Sequence, residues 1–136
     1  MTEKRPVTEK REEIIMEYKF EKLEVYQMAL TYTDIIYSLA GKLPMSEEYN
    51  LQSQIIRAAT SIVLNIAEGS TGQSDAEQRR FLGMAFRSLL ETVACQHLIG
   101  RRKYVSQEEL AKSNDFSHML FGKLQALRRA LGKKPK

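Results

Sequence analysis

The sequence predicts an all-α protein, an antiparallel up-down-up-down four-helix bundle. Apolar residues recur in steps of three and four along most of the chain, the spacing that keeps them on one helix face. Breakers fall between those stretches: at Gly41 and Pro44, at Gly69 and Gly72, and from Gly100 to Ser106. Only three prolines interrupt 136 residues, and short connections between long helices make neighbours antiparallel. The bundle is expected over residues 20–132, after a charged N-terminal extension (1–19) and before a basic tail (133–136).

The extension has an apolar face only at Ile14, Ile15 and Met16, so a flexible or loosely helical segment is expected there, and Met16 could itself be a start. The first helix follows with Leu23, Tyr26, Leu30, Thr33, Tyr37 and Ala40 on one face. The second carries Leu51, Ile55, Ala58, Ile62 and Ile66, with Ser46 expected at its start. Leu82, Ala85, Leu89, Val93 and Gln96 line the third. Leu110, Ser113, Ser117, Leu120, Leu124, Leu127 and Leu131 line the fourth. Ser74 stands three residues before Glu77 and Ser106 three before Glu109. That spacing is the capping box, in which two side chains satisfy free amides of the first turn.

Hydrophobic residues make up 43% and charged residues 28%, the balance of a globular chain rather than a disordered one. No apolar run reaches the ~18 residues that a bilayer requires. The stretch MTEKRPVTEKREE is too charged for a secretory signal, so a cytoplasmic protein is expected, with no membrane partner. Cys95 is alone and cannot close an internal disulfide. His97 and His118 lack metal-ligand spacing to it, so neither a metal nor a cofactor is expected. Gly69-Ser70-Thr71-Gly72 lacks the lysine of a phosphate-cradling loop. Nothing in the pattern points to an enzyme.

Two features remain for function. The net charge of +4 is uneven: residues 1–19 balance at zero, 20–100 sum to −3 and 101–136 to +7. Candidate polyanion contacts are Arg101, Arg102 and Lys103 at the third turn, and Arg128, Arg129, Lys133, Lys134 and Lys136 at the end of the chain. Arg79 and Arg80 are expected to join the second group, because the fourth helix should end near the start of the third. The other feature is apolar surplus. Val25, Ala29, Ile36 and Leu39, then Ile56, Ala59, Val63 and Ala67, then Phe81, Phe86, Leu90, Leu98 and Ile99 widen three stripes beyond one bundle's need. Self-association is the expected cover.

Along the second helix runs a polar row of Gln54, Arg57, Ser61, Asn65 and Glu68. Counting outwards from Thr71 brings Arg57 level with residues 85–88, with Ser88 and Glu91 in reach. A satisfied network fixing helix register or a subunit contact is expected. A metal-holding pair of Glu68 and Glu91 is disfavoured, since about four turns separate their levels.

The words FEKLEVYQMA (Phe20 to Ala29), LPMSEEYNLQSQIIRAATSIVLNIAEGS (Leu43 to Ser70) and FLGMAFRSLLET (Phe81 to Thr92) resemble one family. It is the four-helix-bundle proteins encoded in intervening sequences of bacterial 23S ribosomal RNA genes. The accessory variability proteins of diversity-generating retroelements look similar in architecture. Tyr26 stands where the family has tryptophan, and Arg87 where glycine precedes the serine. The resemblance implies a homopentameric ring that binds nucleic acid, and in the retroelement relatives assistance to a reverse transcriptase and its RNA. The expected function is therefore a non-enzymatic, oligomeric nucleic-acid-binding accessory protein making mainly phosphate contacts. The alternative is an oligomeric scaffold for a protein partner.

Overall fold

The structure, a computed structural model, describes residues 18–72 and 74–132. Four α-helices occupy them, with no strand among the described residues: α1 (Glu24–Ala40), α2 (Ser53–Gly69), α3 (Asp75–Arg101) and α4 (Gln107–Gly132). Each packs against its chain neighbours and α1 closes on α4, with the α2/α3 seam the most extensive. The expected extension up to residue 17 and the tail 133–136 lie outside the described residues.

The stripes expected for α2, α3 and α4 face the core. Leu51, Ile55, Ala58, Ile62, Ile66, Leu82, Ala85, Leu89, Leu120 and Leu124 are all buried, and each large one contributes about 1.5–3 kcal/mol by leaving water. The stripe expected for α1 is corrected. Leu30 and Tyr37 are exposed and Tyr26 is half-buried, while Val25, Ala29, Tyr32, Ile36 and Leu39 form the core face beside Ala40. Both sets have helical spacing and lie about 100° apart on the helix. Tyr32 shows why one of them wins.

Its ring is fully buried and its hydroxyl enters a polar chain through the core. Ser113 Oγ donates to Gln96 Oε1, and Gln96 Nε2 donates to Tyr32 Oη at 2.9 Å. Tyr32 Oη lies 2.8 Å from Thr92 Oγ1, which donates to the Leu89 carbonyl at 2.6 Å. Tyr32 thus accepts one bond and donates the next, so burial leaves its hydroxyl satisfied. Removal from water still raises its pKa above the ordinary 10.0, with the bonds to Thr92, Gln96 and Ser117 acting against the rise.

Helix starts divide two to one. Ser74 Oγ accepts from the Glu77 amide at 3.0 Å and Ser106 Oγ from the Glu109 amide at 3.2 Å, as the capping boxes predict. Ser46 does not open α2. It lies in a 3₁₀ turn (Met45–Glu47), followed by a π-helical turn (Glu48–Gln52) before α2 begins at Ser53. The longer Glu47 carboxylate caps that π-helical turn, accepting the Leu51 amide at 3.4 Å.

The α2/α3 register also departs from simple counting. A methyl built on Gly69 would stand 2.6 Å from Phe81 Cβ, so the missing side chain lets α3 cross α2 six residues after α3 begins. Ser88 Oγ donates to Ser61 Oγ at 2.9 Å in the same register. Arg57 therefore stands level with residues 92–93, more than one turn beyond the expected 85–88. The first turn and a half of α3 projects past the end of α2.

Candidate nucleic-acid interface

The basic residues gather at opposite ends of α3, about 33 Å apart along its axis. At the C-terminal end, Arg101 is the last helical residue, Arg102 follows it, and Lys103 adopts a left-handed φ of 60°. Lys103 N–H bonds Gly100 O at 3.0 Å and Tyr104 N–H bonds Ile99 O at 3.2 Å. This pair of bonds is a Schellman ending with lysine in the place glycine usually takes. All three cations are exposed.

Carboxylates lie near this end, but none within 4 Å of these three cations among the described residues. Tyr104 Oη donates to Glu47 Oε2 at 2.8 Å, and Lys42 pairs with Glu109. Glu47's carboxyl is held below the ordinary 4.5, first by the Tyr104 hydrogen bond, then by Asn50, with the Arg102 charge a smaller contributor. The same contact raises the Tyr104 hydroxyl above 10.0.

The start of α3 and the end of α4 make a different site. Arg79 Nε lies 3.4 Å from the Arg128 carbonyl, and its guanidinium rests over Gly132, where a Cβ would stand 3.1 Å from Nε. Arg128 crosses the other way. Its Nη2 would lie 3.3 Å from a Cβ on Gly83, and its guanidinium covers the Phe86 ring at 5.9 Å. Phe86 is fixed edge-on against Phe121 of α4, centroids 5.0 Å apart. Both arginines are half-buried. Arg128 Nε is buried and has no hydrogen-bond partner among the described residues. Neither guanidinium has a carboxylate within 4 Å among them. Arg80 differs: it pairs with Glu77 at 2.6 Å and covers the Phe81 ring. Arg129 is exposed beside the pair, and Lys133, Lys134 and Lys136 lie outside the described residues.

The polar row on α2 follows the outer edge of the α2/α3 seam. Asn65 Nδ2 donates to Ser61 at its carbonyl (2.9 Å) and its Oγ (3.1 Å), which joins Asn65, Ser61 and Ser88. Gln54 Nε2 bonds Asn50 at 2.9 Å. Arg57, Glu68 and Glu91 are exposed rather than enclosed. Arg57 and Glu91 both act on buried Cys95, whose thiol is raised above the ordinary 9.0 mainly by burial, further by Glu91 and less so because of Arg57. Glu68 stands level with Phe81, about ten residues from Glu91, or roughly 15 Å along the axis. No group of three metal-ligating side chains occurs among the described residues.

Sequence reasoning places the cations at the correct ends of the bundle and misses what lies under or against them. Gly83, Gly132 and Phe86 form the bed of the Arg79–Arg128 pair, while near the other cluster Glu47 is bonded to Tyr104 and Glu109 to Lys42. One signal was available: Gly83 interrupts a continuous helical pattern between Leu82 and Met84, where glycine weakens a helix unless something needs the space. Arg87, where the resembled family has glycine, is exposed and leaves the Ser61–Ser88 contact undisturbed.

No curated protein matches this chain. A crystal structure from Bacteroides thetaiotaomicron VPI-5482, described as a protein of unknown function from the S23 ribosomal protein family, has the same fold. The TM-score is 0.71 at 26% identity, over 77% of this chain and 95% of that one. A family model matches residues 21–125, from the turn before α1 into the last third of α4, and by that match the chain belongs to the 23S rRNA-intervening sequence proteins.

Proposed function

We propose that this protein is a non-enzymatic accessory factor that associates with itself and binds nucleic acid, RNA first, through phosphate contacts. The observation that carries the proposal is the cationic surface at the α3 start and α4 end, where Arg79, Arg128 and Arg129 have no carboxylate partner within 4 Å among the described residues. Unpaired cations on a folded surface concentrate a field that a polyanion answers, with affinity that falls steeply as salt rises. The family's name points to an RNA setting.

Self-association is supported by large apolar side chains left in water on every helix. Leu30 and Tyr37 on α1, Leu64 on α2, Leu90 and Leu98 on α3, and Met119 on α4 are each more than a third exposed. A homopentameric ring, as the family resemblance implies, would cover part of this surface and repeat the basic end several times around one axis. A reverse transcriptase of a diversity-generating retroelement is the partner that the resemblance to accessory variability proteins suggests, in a cytoplasmic setting. The exposed apolar residues also favour the second reading, a scaffold for a protein partner.

The test is RNA and DNA binding against salt, with solution mass recorded in the same buffers. An oligomer whose affinity drops steeply with salt supports the proposal. An oligomer that binds neither polymer at low salt overturns it and leaves the scaffold reading. Replacing Leu30 and Tyr37 with serine is expected to reduce the mass without unfolding the chain.

A further inference from the structure

Resting on the nucleic-acid reading above, we propose that Arg79 and Arg128 together form a seat for one backbone phosphate of RNA. The two side chains leave opposite helices and cross the α3/α4 seam in opposite directions. Each comes to rest over a glycine of the other helix, Arg79 over Gly132 and Arg128 over Gly83. Gly83 is one turn along α3 from Arg79, so the two cations sit within about one helical turn, or 6 Å along the axis.

Two guanidiniums this close repel unless an anion lies between them. None is supplied by the chain within 4 Å among the described residues. Arg79 uses Nε on the Arg128 carbonyl and leaves its terminal nitrogens free to donate. Arg128 Nε is buried with no hydrogen-bond partner among the described residues, and its guanidinium lies 5.9 Å from the Phe86 ring centroid. The free donors suit a phosphodiester, whose two non-bridging oxygens can each take one planar fork.

The bed is built for this placement. Glycine in mid-helix weakens α3 relative to alanine, and an alanine methyl at position 83 would press on Arg128 Nη2. Arg129, exposed beside the pair, extends positive potential past the seat, which suits a polymer of phosphates better than a single carboxylate. At the far end of α3, Lys42 is paired with Glu109, and Arg102 stands exposed within range of the Glu47 charge.

The experiment follows the arginine Nε–Hε signals of the full-length protein by NMR, while inorganic phosphate or single-stranded oligouridylate is added at low salt. RNA affinity is measured alongside for Arg79→Gln/Arg128→Gln and for the charge-matched Arg101→Gln/Arg102→Gln, each checked for folding by circular dichroism. Both ligands are expected to move the Arg79 and Arg128 signals together. The first double variant is expected to lose about tenfold or more in RNA affinity and about one unit of salt slope, the second clearly less.

RNA binding that survives the first variant and falls with the second overturns the seat while leaving the nucleic-acid function standing. Signals that move with inorganic phosphate in a protein that binds no RNA overturn both RNA as occupant and the proposed function. Signals that stay fixed with either ligand overturn the seat outright. Should the glutamine variant unfold, the wild-type titration still decides, and Arg79→Lys/Arg128→Lys, which keeps charge but loses the forks, is expected to weaken RNA binding by a smaller factor.

Discussion

The two ends of the bundle carry similar charge and are built in opposite ways. Where α3 ends, carboxylates lie close by: Glu47 accepts the Tyr104 hydroxyl and feels the Arg102 charge, and Lys42 pairs with Glu109. Where α3 begins, backbones approach closely at Gly69 and Phe81, and two arginines lie on glycines with no carboxylate within 4 Å among the described residues. At the first end only Lys42 is ion-paired, and Arg101, Arg102 and Lys103 stand exposed with no carboxylate within 4 Å among the described residues. At the second, Arg79 and Arg128 are half-buried and positioned against glycines and the Phe86 ring. Density of lysine and arginine in a sequence therefore says little about binding until the neighbouring acids are known.

Mutations can break or sharpen this contrast. The largest loss is expected between the ends, where Gln96→Ala strands the Ser113 hydroxyl in the core and removes one of the two bonds of Tyr32. It should cost about 3 kcal/mol, read by denaturant unfolding, and it sets the scale for both ends. Next comes Gly69→Ala, whose methyl meets the rigid Phe81 Cβ; a loss of about 2 kcal/mol is expected. A neutral result would show that this end does not depend on close backbone approach.

At the other end, Lys103→Gly relieves the left-handed backbone and is expected to raise stability by up to about 1 kcal/mol, with RNA affinity almost unchanged. A large fall in affinity would make Lys103 a phosphate contact and blur the contrast. Gly100→Ala should be nearest to neutral, within about 0.5 kcal/mol, because its methyl meets only the mobile Leu110 Cδ1 while alanine favours the helix.

The loop end also has a pH signature. Glu47's folded pKa lies below its ordinary 4.5, so its contribution is present above that value and is lost as pH falls through the folded one. Tyr104's is raised above 10.0, so its contribution is present below 10.0 and is lost as pH rises through the folded value. Tyr32 adds to the alkaline loss for the same reason. Melting temperature against pH should therefore show both limbs, and Glu47→Gln should flatten the acid one.

The architecture was legible wherever a helix has a single apolar stripe. In α4 the row Ser113, Ser117, Leu120, Leu124 is the core face, serines included, because period identifies a buried face even when polarity does not. In α1 two stripes compete, and Leu30 and Tyr37 look as apolar as the residues that win. What decides between them is the hydroxyl of Tyr32, whose partners come from α3, sixty residues away. The register of Arg57 was missed for a related reason: it depends on a close crossing at Gly69 rather than on the length of a turn. The candidate site was half legible. Charged residues announce themselves along a chain, whereas the glycines beneath Arg79 and Arg128, and the Glu47 carboxylate within range of Arg102, come together with them only on folding.

Cys95 is the one cysteine of the chain, 4% exposed in the α2/α3 seam, and its thiol resists ionisation. A disulfide reagent can attack it only when α2 and α3 part. The rate of that attack is then a clock for seam opening in an otherwise unlabelled protein. Bound RNA or a neighbouring subunit that braces the seam would slow the clock, and one that pries it apart would speed it up.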